Sequence, residues 1–105
     1  MSNQSSEVSG DYGLLTSLWQ VHQSVEWPVV GSPHEGELMT LDTVIAGCVT
    51  YFFEERSLDA QRIEILKDSL NDLDVLLPEL EGEPHGYFER VQQLGQLLLK
   101  LSPIV

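Results

Sequence analysis

The 105-residue sequence predicts an all-α chain folded as a compact antiparallel four-helix bundle. Three observations lead there. Apolar residues recur at alternating spacings of three and four in four separate segments, the repeat of a helix with one buried face. Prolines at 28, 33, 78, 84 and 103 stand at the edges of those segments, where they start or stop a helix. The length is that of one domain, and a domain of this size buries roughly two-thirds of the surface its unfolded chain exposes.

Residues 1–10 are polar and Ser-rich, with too little apolar surface to offset the entropy of ordering, and are expected to be a disordered leader. A single domain then covers 11–105. Its first helix is predicted over about 11–26, on a stripe of Leu14, Leu18, Val21 and Val25 flanked by Leu15, Trp19 and His22, and Pro28 ends it. The second runs to about 55 from a start at either 33 or 40. Ser32-Pro33-His34-Glu35 has the order of a capping box with proline at the first helical position, while Thr40 followed by Asp42 offers a later cap. Leu38, Leu41, Ile45, Cys48 and Phe52 form its main stripe. Val44, Val49, Tyr51 and Phe53 make it apolar on most sides, as in a central, buried helix.

The third helix, about 58–77, carries Ile63, Leu66, Leu70, Leu73 and Leu77. Only Glu54-Glu55-Arg56-Ser57 separates it from the second, without Gly or Pro. A one-residue slip in the apolar register nevertheless predicts a break, with Ser57 and Asp59 as new N-cap and first-turn acid, the alternative being one bent helix. The fourth, about 84–101, carries Tyr87, Val91, Leu94, Leu98 and Leu101 and pairs with the third as a hairpin around the Pro78–Pro84 turn. Phe88, Leu97 and Leu99 give it more apolar surface than one hairpin partner covers, leaving room for the first helix or for a homodimer. Gly47 and Gly95 lie inside helices, at about 1 kcal/mol each relative to Ala, and would allow close helix approach.

Charge is lopsided: 17 acids against 5 bases give a formal net charge of −12. No Lys or Arg precedes Arg56, so the first half holds eight unrelieved carboxylates from Glu7 to Glu55. Phosphate contact with nucleic acid needs clustered bases, so direct nucleic-acid binding is not expected. A partner steered by this field should be a protein with a basic patch. The single cysteine, Cys48, can form no internal disulfide and sits in an apolar run, which fits a reducing, cytoplasmic setting. No signal peptide, lipidation motif or membrane span is read.

Chemistry-bearing motifs are sparse. His22, His34 and His85 show no metal-ligand spacing with one another, with Cys48 or with nearby Glu residues. His22 reads as a partly buried core histidine. Cys48, mid-helix among apolar neighbours, has the surroundings of an inert thiol. The glycines compose no phosphate-binding loop. No catalytic residue, cofactor site or metal site is therefore assigned, and the chain is expected not to be an enzyme.

Two features point instead to a binding partner. The loop Trp27-Pro28-Val29-Val30 must either fold over the core, with Trp27 stapling the first helix to the second, or expose an apolar patch, and aromatic residues in such loops anchor interfaces. Asp72, Asp74, Glu79, Glu81 and Glu83 place five carboxylates in twelve residues with no base among them, without the order of a Ca²⁺-binding loop. Trp27, Val29, Val30 and these five acids are the candidate partner-binding residues. The expected function is a non-enzymatic protein-interaction module, such as a small adaptor, chaperone-like factor or regulator. The alternatives are an inhibitor of a basic partner, of the immunity-protein or nucleic-acid-mimic kind, and a small enzyme or ligand carrier.

Overall fold

The computed structural model describes residues 4–28, 30–31 and 33–102. The chain is an all-α four-helix bundle: α1 (Gln4–Ser24), α2 (Glu35–Glu55), α3 (Ala60–Leu76), a single 3-10 turn (Leu77–Glu79) and α4 (Gly82–Leu101). α4 is the hub, packing against α1, α2 and α3, while α2 also packs on α3. The place at the centre expected for the second helix thus belongs to the fourth. Its buried face, Tyr87, Phe88, Val91, Leu94, Gly95 and Leu98, is wide enough to meet three neighbours.

The stripes of α2 and α3 are buried as predicted, and so is that of α4 except for half-buried Leu101. α1 differs. Leu14, Val21 and Val25 face solvent, 50%, 44% and 40% exposed, and Leu18 is half-buried. Leu15, Trp19 and His22, read as flanking residues, point inward instead, so the helix is turned by about one residue position, or 100°. The inward set brings a large ring and a hydrogen-bonding imidazole to the core, where their area and polar pairing outweigh what two valines could contribute.

Element boundaries also shift. α1 starts at Gln4, so residues 4–10, expected within a disordered leader, are helical, and 1–3 lie outside the described residues. Once nucleated, a helix gains one hydrogen bond per added residue, which offsets the entropy of ordering a polar segment. α2 begins at Glu35, with Pro33 before the helix and His34 in the N-cap position making no side-chain cap bond; Ser32 of the expected capping box lies outside the described residues.

The break between α2 and α3 is present and needs no glycine. Arg56 takes the left-handed conformation, φ 64°, and its N–H donates to the Phe52 carbonyl at 2.7 Å, closing α2. Asp59, rather than Ser57, is the N-cap of α3, accepting from the Arg62 N–H at 2.8 Å. Arg62 also lies over the Tyr51 ring, 3.7 Å from its centroid, which ties the start of α3 to the end of α2.

Gly82 has φ +64°, a conformation glycine adopts without strain, and there the chain turns into α4. α4 thus starts two residues before Pro84, which sits in the first turn where a missing N–H leaves no bond unmade. At Gly95 α3 and α4 come so close that a Cβ would stand 2.6 Å from Leu70 Cδ2 and 3.3 Å from Leu66 Cδ1. Gly47 plays no such part, with nothing within 4 Å of an added Cβ.

Candidate functional site

After α1 the chain folds back across α4. Pro28 and Val30 are buried, Val30 at 5% exposure as part of the core, so Val30 is not available as an exposed anchor. Its apolar area packs where the loop must cross the bundle, and burial there is worth more than exposure. Val29 lies outside the described residues. Trp27 is half-buried, its indole edge-on to Tyr87 and to Phe88 with centroids 5.5 Å apart in each pair. The loop is thereby stapled to α4.

Between this loop and the start of α4 lies an open cleft of about 600 Å³. Trp27, Pro28 and Tyr87 supply apolar and aromatic wall, and Glu26, Glu83 and Arg90 supply charge. Glu83, drawn from the acidic stretch, and Trp27, drawn from the loop, thus share one site although far apart in sequence. Among the described residues Arg90 makes no ion pair within 4 Å, and its Nη1 is buried without a hydrogen-bond acceptor.

The other acids do not join the cleft. Asp72 is exposed on α3, and Asp74 accepts from Gln92 Nε2 of α4 at 3.0 Å. Glu79 lies 3.6 Å from His34 Nε2, whose other ring nitrogen is 3.2 Å from Glu37. Glu81 is exposed at the N-cap position of α4. These side chains follow the turn from α3 to α4 rather than forming one pocket.

Behind the cleft wall a polar cluster joins three helices. Asp42 of α2 is 2.9 Å from His22 Nε2 of α1 through Oδ1, and accepts from the Tyr87 hydroxyl of α4 at 2.8 Å through Oδ2. A carboxylate only accepts, so the His22 proton in this bond sits on Nε2 and the Tyr87 proton points at Asp42. Trp19 stacks on His22 at 5.8 Å, and His22 lies 4.9 Å from the Tyr87 ring. Burial, and then the bond to Asp42, push the Tyr87 hydroxyl well above its ordinary value of 10. The remaining ring nitrogen, His22 Nδ1, is buried without a partner among the described residues. With Nδ1 sealed and the Tyr87 proton committed to Asp42, the cluster is arranged to hold α1, α2 and α4 together.

Sequence reasoning missed Asp42, Tyr87 and Arg90 as a set. A signal for Asp42 was present: it is the lone charge between Glu37 and Glu54, one turn from the buried stripe at Leu38 and Ile45. Arg90 carried none, since only packing of the 25–28 segment on α4 makes it a wall of a cleft.

Cys48 stands elsewhere, beside a hollow of about 370 Å³ shared with Thr43, Gly47, Gln61, Arg62 and Ile65. Burial raises its thiol above the ordinary value, which disfavours the thiolate. Among the described residues no three of His, Cys, Asp and Glu converge as metal ligands, and no helix is long and apolar enough to cross a membrane. Comparison of the chain with protein-family models, with curated proteins and with solved structures finds no match in any of the three.

Proposed function

We propose that the chain is a non-enzymatic protein-interaction module that receives a basic segment of another protein in the cleft between the 25–28 loop and α4. The observation that carries this is the meeting of Trp27, Tyr87, Glu26 and Glu83 around one open cleft on a molecule of net charge −12. An aromatic wall offers apolar contact and a cation–π face, and the two carboxylates attract a Lys or Arg side chain. The field of the whole molecule steers such a partner inward. Arg90 limits the excess of negative charge in the cleft.

Capture of partners by the immobilised full-length chain, followed by titration of the captured protein, tests this. Trp27→Ala should weaken binding by about thirtyfold, the loss of one central aromatic anchor. Glu83→Lys should weaken it more at low salt than at high salt. Asp72→Lys, outside the cleft, should leave it nearly unchanged. Equal loss from Asp72→Lys and Glu83→Lys, or none from Trp27→Ala, would reject the cleft as the binding site.

A further inference from the structure

We propose that the outer face of α1, with the adjoining strip of α4, is a self-association surface whose occupant is the same face of a second copy of this chain. The proposal stands independently of the cleft. α1 carries apolar residues on two sides. Leu15, Trp19 and His22 already fill the inner side, so Leu14, Val21 and Val25 stay exposed with no use inside the bundle. Leu14, half-buried Leu18 and Val21 on the helix, with Val25 one residue past its end, are spaced four, three and four apart, the alternation of a coiled-coil seam. That spacing reads the same in both directions. In an antiparallel, two-fold pairing Leu14 therefore comes opposite Val25 of the other copy, and Leu18 opposite Val21, which is the self-matching an isologous interface requires.

Charge selects the occupant. Residues 12–25 contain no Asp, Glu, Lys or Arg, and neither do residues 91–99 of α4. The two stretches belong to helices that pack together, and between them runs a groove of about 350 Å³ walled by Leu14, Leu18, Gln93, Gln96, Leu97 and Lys100. Asp11, next in line toward the start of α1, is bridged by Lys100 at 3.1 Å. Two copies of a −12 chain repel where carboxylates face each other, and this strip brings none face to face. A basic partner would find no unpaired carboxylate on it. Gln93 and Gln96 carry both donors and acceptors, so they can bond to their own kind across a two-fold axis.

Sedimentation equilibrium of the full chain over about 1–200 µM, bracketing a micromolar dissociation constant, tests the proposal. A monomer–dimer equilibrium is expected that tightens as salt rises, because screening relieves repulsion between the acidic remainders. Leu14→Asp and Val21→Asp should each weaken it at least about tenfold, with circular dichroism checking that helicity is kept. Val21→Ser serves in the same test if either Asp variant loses structure. Val75→Asp, at a site 71% exposed on α3, should leave the equilibrium unchanged. Val25 is left alone because it also borders the cleft. A monomer at every concentration would overturn the proposal. So would a dimer that survives the α1 variants, or one lost equally with Val75→Asp.

Discussion

Glycine 95 offers a sharp test of how α3 and α4 meet, because Gly47 provides an internal control. Replacing either helical glycine by alanine restricts the unfolded chain and favours the helix by about 1 kcal/mol. At Gly47 nothing lies within 4 Å of the new methyl, so the whole gain should appear. At Gly95 the methyl would stand 2.6 Å from Leu70 Cδ2, about 1 Å inside ordinary carbon–carbon contact. Turning Leu70 about its last bond does not resolve this. Its Cγ is itself 3.2 Å away, and Leu66 Cδ1, on a fully buried residue, stands at 3.3 Å. The helices must separate, an overpacking cost of about 1–3 kcal/mol. Gly95→Ala should therefore lose about 1 kcal/mol net, where Gly47→Ala gains about 1. Urea unfolding followed by circular dichroism would resolve a gap of about 2 kcal/mol, equivalent to roughly 8–16 °C in Tm for a domain of this size. If the two variants moved stability the same way, the close approach at Gly95 would be refuted.

Three further outcomes follow from the same structure. Tyr87→Phe should cost about 1–2 kcal/mol at pH 7, from the lost bond to Asp42. The wild-type hydroxyl titrates above its ordinary value of 10, so the folded chain holds a proton that the unfolded chain releases. Wild-type stability should thus be level in this respect below pH 10 and fall above it, with a shallower fall in Tyr87→Phe. Urea midpoints measured at pH 7, 9 and 10.5 would check the sign. Arg90→Met should raise stability by about 1 kcal/mol, because it keeps an apolar stem and removes the buried Nη1 that lacks an acceptor; a loss in thermal unfolding would show that the guanidinium is satisfied. Arg56→Gly should also stabilise, by about 1 kcal/mol, since Arg56 is exposed and held at φ 64°. Unchanged or lower stability in urea would mean that its side chain contributes more than the backbone strain costs.

The proposed cleft and the proposed dimer face make opposite demands on salt. Binding through Glu26 and Glu83 weakens as ions screen attraction, whereas pairing of two acidic chains through a charge-free strip strengthens. The two adjoin at Val25, just past the end of α1, which closes the stripe of one and lines the other. Separate variants at Trp27 and Val21 keep the two proposals distinguishable.

By itself the sequence determined the helix count, the break after α2 and the inward faces of α2, α3 and α4. Each of these follows from periodicity and from prolines, which act locally through backbone sterics and the burial of one face. The tertiary structure alone decided the rest. α1 is apolar on two sides, and periodicity chose Leu14-Val21-Val25 where the structure turns Leu15-Trp19-His22 inward. The choice fell to Asp42 and Tyr87, which give His22 a hydrogen-bonding place in the core. Val30 became core and Trp27 a staple only because the loop crosses α4. Glu83 and Trp27 became neighbours for the same reason, and no spacing along the chain encodes a contact made by packing two segments that are distant in sequence.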